Sequence, residues 1–211
     1  MDAIRFGYWS AIAAFVFSVG YGIPQILQVG GVLHFPLDEI LIFAPSLALA
    51  PSFVLAMAGL HATRASSLGV WSLAALALSV MYATLVSIVY SVQLAAVIPA
   101  KLAGGNAVSA LFGCCAMGNP LTAVDLLGYT LMSLATLIAA PALPARSALR
   151  RSFIANGLLA PFLVLQTAWP GLIWIGALWL LTFPLAMALL ALDFRRMTPA
   201  SAIPPRRAAS T

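Results

Sequence analysis

The sequence predicts an all-α integral membrane bundle of about six transmembrane helices with both termini in the cytoplasm, and three observations carry that expectation. The 211 residues are 63% hydrophobic and only 7% charged, whereas soluble globular domains run at roughly 25% charged and 45–50% apolar. Cutting the chain at every Asp, Glu, Lys and Arg leaves charge-free stretches at 6–37, 40–63, 65–100, 102–124, 126–145 and 152–192. Each exceeds the ~18 residues that mark a spanning candidate. The basic residues are the third observation, and they set the orientation once the spans are placed.

The first stretch predicts a helix over about 7–30. Its apolar run is much longer than the roughly 7–15-residue core of a signal peptide and is followed by no clear small-x-small cleavage site, so it is expected to be retained. The second and third stretches predict helices over about 39–62 and 69–97. The fourth is interrupted by Gly104, Gly105, Asn106, Gly113, Gly118, Asn119 and Pro120, which form turns and break helices. Residues 100–120 therefore read as a loop, partly re-entrant, and the fourth helix starts near Leu121 and ends near 142.

The last stretch is too long for a single pass through a ~30 Å hydrocarbon core at about 1.5 Å per residue. Trp169-Pro170-Gly171 sits near its middle and reads as a turn, which divides it into helices over about 152–168 and 172–193. Residues 1–197 thus form one transmembrane domain. From Thr198 onward, Pro199, Pro204, Pro205 and small polar residues read as a disordered cytoplasmic tail.

Six passes place Arg5, Arg64, Arg146, Arg150, Arg151, Arg195, Arg196, Arg206 and Arg207 on one face and only Lys101 on the other. Basic residues accumulate on the cytoplasmic side, and five or seven passes would destroy the asymmetry. The net charge of +5 then needs no nucleic-acid partner. The bilayer is the expected partner, with headgroup contact as a side effect. Abundant arginine and alanine suggest a GC-rich bacterial genome and hence a bacterial cytoplasmic membrane.

No cofactor is expected. There is no Gly-x-Ser-x-Gly, no His-Glu-x-x-His, no phosphate-cradling glycine loop and no lysine within a span for a Schiff base. His34 and His61 belong to opposite faces and cannot share a metal. Cys114 and Cys115 are adjacent, a poor geometry for a mutual disulfide, and no metal-ligand spacing surrounds them. They lie in the loop assigned to the outside, where oxidation is permitted, and read as a pair of buried small hydrophobes, with an intermolecular bridge as the alternative. No Gly-x-x-x-Gly pair signals an oligomer.

Polar residues in the spans are the informative ones, because a charge at a helix centre costs ~2.5–3.5 kcal/mol on the insertion scale. Asp125, one turn or so into the fourth helix, is the chief example. It reads either as an acid stabilised by the helix start or as the anchor of a site. Asp125, Tyr129 and Met132 or Ser133 share one helical stripe, Ser79, Tyr82, Val86, Tyr90 and Gln93 another, and Ser18, Tyr21, Gln25 and Gln28 a third. With alternating helix directions, Tyr21, Gln25, Gln28, Tyr90, Gln93, Asp125, Tyr129 and Gln166 fall in the outer half. Asp38, Glu39 and His34 lie at the outer start of the second helix, where they would form a lid. Pro24, Pro45, Pro51, Pro161 and Pro184 fall inside spans and can kink them.

The stretches YSVQLAAVIPAKLAG (Tyr90–Gly104), NPLTAVDLLGYTLMSLATLIAAP (Asn119–Pro141) and FIANGLLAP (Phe153–Pro161) resemble a family of uncharacterised bacterial six-span membrane proteins with a domain of unknown function. The resemblance covers about 71–160 and implies architecture alone. It passes through Gln93, Asp125 and Tyr129.

Three readings follow. In the first, an outward-facing polar pocket binds or transports a small or lipid-like molecule, with Asp125 as the charged anchor. In the second, the polar groups pair helices within an assembly subunit. In the third, an intramembrane enzyme uses Asp125 with Glu39 or His34 for acid–base chemistry.

Overall fold

The computed structural model describes residues 2–64, 68–116 and 118–197, which are helical without a strand. The tail expected from Thr198 onward lies outside the described residues. Six helical spans are long and apolar enough to cross a membrane, which makes the chain a multi-pass membrane protein.

The first span is α1 (Ala3–Val29). It begins earlier than its apolar stretch because the Asp2 carboxylate caps it, accepting from the Ile4 N–H. The second is α2 (Leu37–Thr63), with Asp38 and Glu39 in its first turn, where acids suit the helix dipole. The third begins as α3 (Gly69–Val92), widens into a π-turn over Gln93–Val97 and continues as α4 (Ile98–Leu102). The wide turn has a covalent cause. Pro99 has no N–H for the carbonyl four residues back and its ring crowds that carbonyl, so the Ile98 N–H bonds instead to the Gln93 carbonyl.

The expected 100–120 loop contains a short helix, α5 (Ala107–Phe112). The fourth span, α6 (Pro120–Ala139), opens with Asn119 and Pro120 at its first helical position and ends in a 3₁₀ turn over Ala140–Ala142. The fifth is broken into α7 (Ala148–Gly157) and α8 (Ala160–Leu165), with Pro161 in the first turn of α8. A 3₁₀ turn over Pro170–Leu172, then α9 (Ile173–Gly176) and α10 (Trp179–Arg196), form the sixth. The Pro170-Gly171 turn separates the last two spans as its chemistry requires.

Consecutive spans pack side by side and the last returns to the first: α1 on α2, α2 on α3, α3 on α6, α6 on α7, α7 on α10 and α10 on α1. The centre of this closed circuit is filled by Phe53, Met57, Tyr82, Met132, Phe183 and Met187, all inaccessible to solvent. At the end where α1 begins and α10 finishes, α1 and α2 touch through glycine. A Cβ on Gly59 would stand 2.5 Å from the Gly7 Cα, and the Phe194 ring lies against Gly7. Arg64 also meets Asp193 there at 2.6 Å. At the opposite end, Gln28 donates to Asp38 at 2.8 Å and Lys101 pairs with Glu39. These contacts tie α1, α2 and α4 together.

Candidate functional site

Several polar residues converge around the first turns of α6, at the end of the bundle away from the start of α1 and the close of α10. Asp125 is the sixth residue of α6, beyond the first turn where the helix dipole and free N–H groups act most strongly. Its side chain is nine-tenths buried, and its Oδ1 is enclosed with no hydrogen-bond partner. A carboxylate serving only as a helix-start acid would be satisfied by local N–H groups.

One turn further along, Tyr129 is buried at the centre of an aromatic cluster. Its ring lies 4.9 Å from that of Trp179, 5.9 Å from Tyr82 and 6.5 Å from Tyr21. Tyr90 on α3 donates to the Tyr129 hydroxyl at 2.8 Å. Two further polar atoms of the cluster, the Tyr82 hydroxyl and the Trp179 Nε1, are buried without a partner. Together with Asp125 Oδ1, three enclosed polar atoms here have no protein group to bond. Native interiors keep such atoms rare.

Above Asp125 the chain folds back over the helix start. Gln93, at the mouth of the π-turn, donates from Nε2 to the Phe112 carbonyl at 2.8 Å and accepts the Cys114 N–H at Oε1, 3.0 Å. Thr122 accepts the Cys115 N–H at 2.9 Å while donating to the Ala116 carbonyl at 2.8 Å. These bonds hold the Cys114-Cys115 segment over α6. Both Sγ atoms and an Asp125 carboxylate oxygen lie within 4.8 Å of one another. The Cys115 thiol, with burial adding to it, pushes the Cys114 thiol well above the ordinary thiol range.

The structure therefore brings together Asp125, Tyr129, Tyr90, Tyr21 and Gln93 from the sequence expectation. The other three are engaged in different contacts. Gln25 donates to Gln28 at 3.2 Å, Glu39 pairs with Lys101, and Gln166 is buried against Gly176. Asp38 and Glu39 fasten helix ends, and His34 is exposed. His61, expected at the membrane face, shares a hydrogen bond with Ser72 at 2.9 Å.

Reading the sequence missed Cys114, Cys115, Thr122 and Trp179. The cysteines are half-buried and exposed rather than a buried apolar pair. Their signal was position alone: they stand about ten residues before Asp125, across a Gly-Asn-Pro turn that returns the chain to the helix start.

Surface hollows lie among the described residues. One of about 180 Å³ is lined by Gly118, Pro120, Thr122, Leu126 and Thr167, beside the site, and one of about 460 Å³ opens at the terminal end near Arg64, Pro144 and Arg150. Asp125 lines neither.

Fold and site together define a multi-pass helical membrane protein with a buried carboxylate and two thiols gathered at one end of the bundle. No family model matches the sequence, and neither a curated protein nor a solved structure does.

Proposed function

We propose that this protein is a membrane-embedded binding protein whose site is the Asp125 constellation, set beneath the outer face of a cytoplasmic membrane. The arginine asymmetry supports that orientation. The observation that carries the reading is Asp125 Oδ1: a carboxylate oxygen enclosed within a membrane-spanning helix and bonded to nothing in the protein. Ionisable groups in spans are costly and mark ligand or ion sites by default.

An assembly role would leave this group paired across helices, as Asn156 is with Thr136 and Thr182. An acid–base enzyme would bring Glu39 or His34 to Asp125, but Glu39 is held by Lys101 and His34 faces solvent. The close packing around Asp125 favours a compact polar ligand or an ion over a lipid chain.

Native mass spectrometry of gently purified wild type and Asp125→Asn tests the reading. A small adduct on the wild type that is missing from a folded Asp125→Asn variant is the expected result. Identical spectra from two folded proteins would sink it and leave the assembly role.

A further inference from the structure

Resting on that binding-site reading, we infer that the site holds a thiophilic divalent cation of the zinc class, ligated by Cys114, Cys115 and Asp125. Three observations carry this. The two Sγ atoms and the carboxylate oxygen lie within 4.8 Å of one another. Tetrahedral zinc, with bonds of ~2.0–2.3 Å, spaces its ligand atoms by roughly 3.3–3.8 Å, so shifts of about 1 Å close the set. Of these ligands Asp125 is nine-tenths buried, and its Oδ1 has no partner in the protein.

The second observation is how the thiols are presented. Adjacent side chains of an extended chain point to opposite sides. Here Cys115 takes a left-handed backbone conformation, φ 76°, rare for a residue with a Cβ, and both sulfurs face one carboxylate. The Cys114 N–H is held by Gln93 and the Cys115 N–H by Thr122. Groups outside the ligand set that fix its orientation are a regular part of metal sites.

The third is access. Cys115 is exposed, so an ion arriving from the outer face meets a thiol first and then the buried carboxylate. Thiol ligands select zinc-class ions over magnesium or calcium, which prefer oxygen. Three protein ligands leave one position free, the arrangement of sites that exchange or act on a fourth ligand rather than of closed structural sites. On binding, each thiol gives its proton to solvent as its sulfur takes the metal, so one ion releases two thiol protons.

The test is Zn²⁺ binding by the full-length protein, reduced and freed of metal with a chelator in mild detergent, measured by calorimetry and by elemental analysis after desalting. Co²⁺ serves as a second probe, since thiolate-to-cobalt absorption reports sulfur ligation. Wild type is expected to bind one Zn²⁺ and to show the cobalt–thiolate band. Cys115→Ser, at an exposed position that burdens folding little, is expected to weaken binding more than about tenfold and to diminish the band. Thr122→Val, which touches no metal but frees the Cys115 N–H, is expected to weaken binding about 10–100-fold.

Wild-type affinity retained in Cys115→Ser overturns the inference, as does binding that is unaffected in folded Asp125→Asn. A vicinal Cys114–Cys115 disulfide that persists under reducing purification also overturns it. Failure here remains distinct from failure of the binding-site reading: an Asp125-dependent organic adduct without zinc binding discards the metal and keeps the site. No zinc and no adduct discard both.

Discussion

The Tyr90 hydroxyl donates to the Tyr129 hydroxyl at 2.8 Å, joining α3 to α6. Both residues are buried, so neither oxygen has water to replace the other. The pair braces α3 against α6, and Tyr129 stands one turn along α6 from Asp125.

Tyr90→Phe removes the donor and leaves the Tyr129 hydroxyl without it. Hydrogen bonds between membrane helices average about 0.6 kcal/mol, with a maximum near 1.7. A double-mutant cycle of Tyr90→Phe and Tyr129→Phe, read by unfolding in mixed micelles, is expected to give a coupling in that range. A coupling indistinguishable from zero would show that the contact contributes nothing to stability.

Gly59→Ala is expected to destabilise the bundle, because the new methyl would stand 2.5 Å from the Gly7 Cα and 3.5 Å from the Phe194 ring. Backbone cannot yield as a flexible side chain does, so α1 and α2 must separate. Overpacking of this kind costs roughly 1–3 kcal/mol. Gly69→Ala, where a Cβ meets nothing within 4 Å, is the control and should unfold at the wild-type detergent concentration.

Asn156 is inaccessible to solvent and links three spans: it donates to Thr136 of α6 at 3.1 Å and accepts from Thr182 of α10 at 2.9 Å. Asn156→Ala leaves both hydroxyls short of a partner and opens space in the core. The expected loss is about 1–3 kcal/mol, seen as earlier unfolding.

Arg64 and Asp193 meet at 2.6 Å where α2 and α10 end, with side chains 11% and 22% exposed. Removing one partner strands the other charge in a poorly solvated place. Arg64→Met is therefore expected to cost more than the ~0–1 kcal/mol of a surface ion pair, and the double variant Arg64→Met/Asp193→Leu is expected to recover part of that loss. Equal stability of the single and double variants would mean that the stranded carboxylate finds water.

The spans were legible because a bilayer imposes one crude demand. A helix must stay apolar for about 20 residues, and uninterrupted stretches of that length are visible without any knowledge of packing. Much of the local chemistry was legible too. Pro170-Gly171 separates the last two spans, and Asn119-Pro120 opens α6. The break between α7 and α8 was hidden, since Pro161 read as a kink within one helix. The Gly7–Gly59 contact was hidden as well, because the two glycines stand on different helices and form no local motif.

Within the site, helical spacing alone put Asp125 with Tyr129 and Tyr90 with Gln93, since residues three or four apart share a helix face. Gln25 and Gln166 satisfied the same depth argument and Glu39 stood at the outer start of the second helix, yet the structure gives them other contacts. Depth along the membrane says nothing about rotation around a helix axis or about which neighbour lies across.

By itself the sequence determined that this chain is a helical membrane protein with few ionisable groups in its spans, Asp125 foremost among them. Only the tertiary structure decided what stands over that carboxylate. Cys114 and Cys115 reach it through side chains of Gln93 and Thr122 that hold the loop's backbone. The Gln93 bond joins the loop to another span and the Thr122 bond closes an irregular turn, so no helical periodicity records either. Hydrophobic length is a property of each segment, while convergence on one point is a property of how the segments pack.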